Sequence, residues 1–209
     1  MKQGVPLYIL GSSGHAREVE AYARAVDPGR AVFFVDDSGV ADNCVTVRDY
    51  HKRVAIDGGE SIMGAGRCEV RREMLHEIVA PLATVIHPSA VILGSVAPGC
   101  VVAPGVVVGP NAYLGEHVLV NYNATVGHDT RVGHLSVVGP GSAVGGWCEL
   151  GAAVYVGAGA LIRERLTIQA DAIVGMGAVV TKDVPAGVIV VGVPARIVDR
   201  KGGVGSWLG

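Results

Sequence analysis

The chain has 209 residues, half of them hydrophobic, and 17 basic against 19 acidic side chains leave a formal net charge of −2. A near-neutral balance without a charge run argues against a nucleic-acid or membrane-surface binder, and no apolar stretch approaches the ~20 residues of a membrane span. The 31 glycines beside only two phenylalanines and two tryptophans suggest a narrow, repetitive core lined by small aliphatics.

Taken in chain order, the first residues carry one lysine and too short an apolar run for a secretory leader, so LYIL at 7–10 reads as a first strand. GSSGHA at 11–16 is a glycine-rich turn, and residues 16–26 have helical spacing. AVFFV at 31–35 reads as a second strand that ends in Asp36 and Asp37. The stretch that follows gives no clear pattern. ESIMGAG at 60–66 reads as a further strand and turn, and CEVRREMLHEIVA at 68–80 as a second helix. Strand, glycine turn, helix and strand make half of a Rossmann-like α/β sheet, which assigns residues 1–83 to an N-terminal domain.

Gly11-x-x-Gly14-x-Ala16 falls short of the full dinucleotide fingerprint. Glycines there either let backbone amides and a helix N-terminus approach a phosphate or simply turn the chain. Asp36 and Asp37 either meet a ribose or base edge or form a solvated turn. Cysteines 44, 68, 100 and 148 show no CxxC spacing and read as free, buried thiols of a cytoplasmic protein.

From residue 84 a different rule applies. Stepping by six from Val96 to Val180 meets fifteen residues, all Val, Leu or Ile. Glycine often follows the aliphatic, and a small residue stands four places after it. No helix produces a period of six. A short strand plus a corner does, with three units to each turn of a triangular β-helix of five coils. The aliphatic points inward, the small residue fits the tight interior, and the glycine relieves the backbone where it turns. Ile86 and Ile92 begin the rhythm, which slips by two before Val96, an irregular opening coil. Residues 182–201 leave the rhythm at Pro185 and Pro194, and GGVGSWLG reads as a loose tail with Trp207 over a surface groove.

His128 follows an inward valine by two places and should point outward at a corner. Gly146 comes eighteen residues later, one coil on, so the imidazole should stand over the Gly145–Gly146 backbone, with strands ~4.8 Å apart. A base beside an exposed N–H is minimal equipment for acyl transfer, and Asp129 could steady the imidazole. His117 and His134 read as surface histidines. The three histidines are expected on different corners, which argues against a metal site.

The whole ensemble — GSSGHA and VDDS in front, hexapeptide repeats carrying NYNATVGHD, then VGVPAR — resembles the bacterial sugar O- and N-acetyltransferases over about residues 5–198. That family includes the sialic acid O-acetyltransferases and the nucleotide-linked 4-amino-sugar N-acetyltransferases of the UDP-bacillosamine and GDP-perosamine pathways. The resemblance implies a left-handed β-helix over residues 84–209, including a C-terminal extension, and an acetyl-CoA-dependent homotrimer with active sites between subunits and no metal. The catalytic histidine of the family falls on His128, its acidic partner on Asp129, its oxyanion glycine on Gly146 and its asparagine on Asn121. Acetyl-CoA contacts fall on Val137, Gly146, Ala158 and Met176. Val137 stands where histidine is common, and Met176 where glycine is. Ser13, Gly14, His15, Asp36 and Asp37 would bind a nucleotide sugar, although Gly66-Arg67-Cys68 replaces the usual Gly-Asn-Asn.

The expected activity is N-acetylation of a nucleotide-linked 4-amino sugar. O-acetylation of the sialic acid type, a non-catalytic trimeric scaffold and a front domain that binds NAD(P) are the alternatives. No nucleic-acid partner or membrane insertion is expected.

Overall fold

A computed structural model describes residues 4–39 and 41–198; the expectation for Trp207 lies outside them. The front unit is a parallel sheet of Leu7–Leu10 (β1), Val32–Val35 (β2), Cys44–Val45 (β3) and Glu60–Met63 (β4), in the order β3-β2-β1-β4. The central strand β1 is buried along its whole length, as a continuous apolar run in a parallel sheet should be. Gly14–Val26 (α1) follows the glycine turn. Gly64 explains how closely α1 can pack, because a Cβ there would lie 2.6 Å from the Ala16 Cβ.

The unpatterned stretch holds a helix, Val47–Asp57 (α2). Its end signals are ordinary. Thr46 Oγ1 accepts the Asp49 N–H, and Gly58 closes the helix at φ 71°. It buries only Tyr50, so no apolar stripe marks it in the sequence. The helix expected over 68–80 is shorter. Cys68–Met74 (α3) runs into a 3₁₀ turn at Leu75–Glu77. Beyond it the Val79 and Ala80 amides turn to the Tyr50 hydroxyl, and Pro81 disfavours a helical residue before it.

The repeats form a parallel β-solenoid of about six turns with three flat faces. The first face includes Val85–Ile86, Val101–Val102, Leu119–Val120, Val137–Val138, Tyr155–Val156 and Ile173–Val174; the second includes Thr125–Val126 and Ala143–Val144, and the third Arg131–Val132 and Glu149–Leu150. Of the fifteen six-step aliphatics all but Val96 are buried, and the small residues, such as Cys100, Ala124 and Cys148, are fully enclosed. The opening coil is irregular as expected. Ile92 pairs with Val108, sixteen residues on, whereas Val96 pairs with Leu114, eighteen on. The corner between them is therefore two residues short. At the far end Ile189–Val191 extends the first face and Arg196–Val198 pairs with it antiparallel.

The recurrent glycine needs a different explanation from the one expected. The left-handed residue lies two places after it, for example Asn111, His117 and Asp129, each at φ 58°. The glycine itself is required by stacking: a Cβ on Gly127 would lie 2.5 Å from Gly146 N in the next coil. Asn and Asp tolerate the left-handed corner better than other non-glycine residues.

Alpha1 packs on Val85–Ile86, and the Tyr22 ring meets His87 edge-on. From α3, Cys68 Sγ reaches the Val154 carbonyl, and Arg71 donates to the Ala65 and His117 carbonyls. The first face is thereby covered, and its outward residues Val101, Leu119, Val137 and Ile173 are all buried. Among the described residues no helix is long and apolar enough to cross a membrane.

Candidate active site

The edge between the second and third faces carries His128, Asp129 and Gly146. Chain geometry puts residues eighteen apart in register along it: Asn111, Asp129, Trp147 and Arg165 at the left-handed corner position, with His128 and Gly146 one place before. His128 leaves its coil outward and leans over the next one. A Cβ built on Gly146 would lie 2.7 Å from His128 Nε2 and 2.8 Å from Cε1. Only glycine leaves the imidazole that room. The Gly146 N–H donates to no group among the described residues, while its carbonyl accepts the Arg165 amide.

The left-handed turn at Asp129 brings adjacent side chains together. His128 Nδ1 lies 2.8 Å from Asp129 Oδ2. A carboxylate only accepts, so Nδ1 carries the proton and the Nε2 lone pair of the neutral ring faces outward. Asn111 Nδ2 donates to Asp129 Oδ1 at 3.1 Å. Hydrogen bonds from His128, and then from Asn111, hold the Asp129 carboxyl below the usual carboxylate range. The His128 side chain is 46% exposed, open enough to meet a substrate. The Trp147 ring stands against it at 86°, centroids 4.4 Å apart, and the Arg165 guanidinium lies 4.2 Å from the Trp147 ring centroid. The sequence reading missed Asn111, Trp147 and Arg165, although the same eighteen-residue step that links His128 to Gly146 would have found them.

The remaining expected residues lie elsewhere. Asn121, Ala158 and Met176 share the edge between the first and second faces. Asn121 Oδ1 accepts its neighbour's Tyr122 N–H, and Met176 is 79% exposed. The Val137 side chain is buried on the first face, so a coenzyme would meet its backbone. His117 differs from expectation. It is buried, lies on the edge between the third and first faces that also carries His134, and its carbonyl accepts Arg71 Nη2. Burial, and then Arg71, lowers its pKa. His117 and His134 thus occupy one edge, not two, with His128 on another. Among the described residues no group of three His, Cys, Asp or Glu side chains is placed to hold a metal.

In the front unit, Ser13 stands at the N-cap of α1 without a side-chain cap, Gly14 opens the helix, and the first turn holds no acid. That helix end presents free amides and a positive dipole to an anion. His15 is largely buried, with Nδ1 2.9 Å from Glu18 Oε2, and burial lowers its pKa. Asp36 accepts the Ser12 hydroxyl at 2.6 Å and the Ser38 amide, in that order the causes that hold its carboxyl low. It lines a cavity of about 210 Å³ with Gly11, Val35 and Met74. Asp37 does not line it; its carboxylate instead accepts the Val47 N–H at the start of α2.

Comparison with solved structures finds close likeness. Perosamine N-acetyltransferase from Caulobacter crescentus, crystallised as a histidine-to-asparagine variant in complex with CoA and GDP-perosamine, is 29% identical over 93% of this chain and 97% of that one, with a TM-score of 0.87. WeeI from Acinetobacter baumannii is 30% identical over 92% and 99%, TM-score 0.84. The acetyltransferase domain of PglB from Neisseria gonorrhoeae is 26% identical over 93% and 100%, TM-score 0.86. No protein-family model and no curated protein matches.

Proposed function

The chain belongs to the hexapeptide-repeat acetyltransferases of nucleotide-linked amino sugars, and on that premise we propose that it transfers the acetyl group of acetyl-CoA to the 4-amino group of such a sugar, with His128 as general base. The observation that carries this reading is the imidazole Nε2 poised over Gly146, whose N–H is unclaimed among the described residues. The sugar amine attacks the thioester carbonyl carbon, and Nε2 takes the proton the amine loses. Asp129 holds the imidazolium that forms, and the Gly146 N–H receives the charge on the carbonyl oxygen. Collapse of the tetrahedral intermediate breaks the C–S bond, and the departing thiolate recovers the proton from His128. Orientation of both substrates supplies much of the remaining acceleration.

The front unit, taken as a Rossmann-like domain over residues 1–83, binds the nucleotide through the α1 N-terminus, Ser13, Gly14, His15 and Asp36. Residues 84–209 then form a left-handed β-helix. Within one chain the front unit covers the first face, and His128 stands on the one edge that does not border it. That arrangement favours a homotrimer in which a neighbouring front unit delivers the sugar to His128. Acetyl-CoA then meets Gly146 together with the edge that carries Ala158 and the exposed Met176, and meets Val137 through its backbone.

The test is acetyl-CoA incubated with UDP-, GDP- and CMP-linked 4-amino sugars and their 4-hydroxy counterparts. The expected product is an amide on an amino sugar. Acetylation of hydroxyl sugars alone, or of none, would overturn the reading.

A further inference from the structure

We infer that Trp147 is a positioning residue for the transfer, holding the His128 imidazole over Gly146. This rests on His128 being the base. Trp147 occupies the left-handed corner at φ 53°, a conformation that bulky residues rarely adopt and that tends to persist where function demands it. Trp147 is 47% exposed, so core packing does not account for it. What the ring touches does. The indole stands at 86° to the imidazole, centroids 4.4 Å apart, and the Trp147 amide donates to the His128 carbonyl at 2.9 Å. Arg165, itself left-handed at φ 61°, lies over the indole at 4.2 Å from its centroid and fixes it from the next coil.

The imidazole is thus bounded by Asp129 at Nδ1, by the Gly146 backbone beneath and by the indole at its side. The indole limits rotation of the ring on the side it occupies. Without that wall the His128–Asp129 hydrogen bond alone leaves the exposed ring free to swing about it. A small misplacement of a catalytic group is enough to cost ~10²-fold in rate.

The test compares the whole protein with Trp147→Asn, Trp147→Phe and His128→Ala. Asparagine already fills this corner position at Asn111 and Asn123, so the backbone accommodates it. Trp147→Asn is expected to lower kcat ~10–100-fold with both KM values within about twofold, and to weaken the NMR contact between the His128 ring and the Gly146 α-protons. Trp147→Phe restores most of both. If Trp147→Asn keeps full kcat while His128→Ala is inactive, the inference fails and the base assignment stands. A rise in KM at unchanged kcat would make Trp147 a substrate contact and overturn positioning. Full activity of His128→Ala would instead overturn the base assignment. Should Trp147→Asn fail to fold, the phenylalanine variant decides: kcat and the ring contact retained together support the inference, and kcat lost with the contact intact refutes it.

Discussion

Asn111 and Asp129 stand one above the other on the edge that carries His128, and the Asn111 amide reaches the Asp129 carboxylate at 3.1 Å. Asp129 therefore accepts from two donors, and both hold its carboxyl below the ordinary range. The sign follows. A depressed pKa contributes stability that is present above the ordinary carboxylate range and is lost as pH falls through the depressed value. Asn111→Ala should raise the Asp129 pKa, and His128→Ala should raise it further, since the His128 bond is the larger cause. A carboxyl-carbon NMR titration of the three proteins checks the order.

Two glycines on neighbouring coils should fail in different ways. At Gly146 the nearest atoms to an added Cβ all belong to the movable His128 ring. Gly146→Ala should keep its Tm within a few degrees yet lose most turnover, because the base is displaced. At Gly127 the added Cβ meets the backbone of Gly145 and Gly146 at 2.5–2.6 Å. Gly127→Ala should destabilise the fold by ~1–3 kcal/mol or more, read as a lowered thermal midpoint.

The paired acids after β2 should also separate. Asp37→Ala removes a contact to the start of α2 and should cost ~1 kcal/mol in stability while leaving nucleotide-sugar affinity nearly intact. Asp36→Asn should weaken that affinity several-fold. Titration calorimetry and thermal unfolding of both variants distinguish the roles.

Thiol chemistry should be silent. Burial pushes Cys68 up to about 12 and Cys100 to about 11 and also raises Cys148, so the thiolate needed for alkylation is scarce near neutral pH. Only the half-buried Cys44 should react with iodoacetamide in the native protein, and turnover should survive the treatment.

The sequence made the solenoid legible because every sixth residue meets the same enclosed environment, so the pattern repeats until chance is excluded. His128 over Gly146 was legible for the same reason, through a step of one coil. Asn111 and Trp147 obey that step too, but their side chains announce no chemistry until their neighbours are known. Helix α2 escaped notice because it buries a single residue, Tyr50. His117 looked like a surface residue because its ring folds back over Gly99 and its carbonyl meets Arg71 of α3, contacts that no local pattern encodes.

The most direct measurement is single-turnover acetyl transfer by His128→Ala with both substrates saturating and the oligomer verified by mass. A fall of ~10²–10⁴-fold in the transfer rate, with substrate affinities kept, is the predicted result. A rate within threefold of the unaltered protein would contradict a base at residue 128 and leave the unclaimed Gly146 amide without a partner in catalysis.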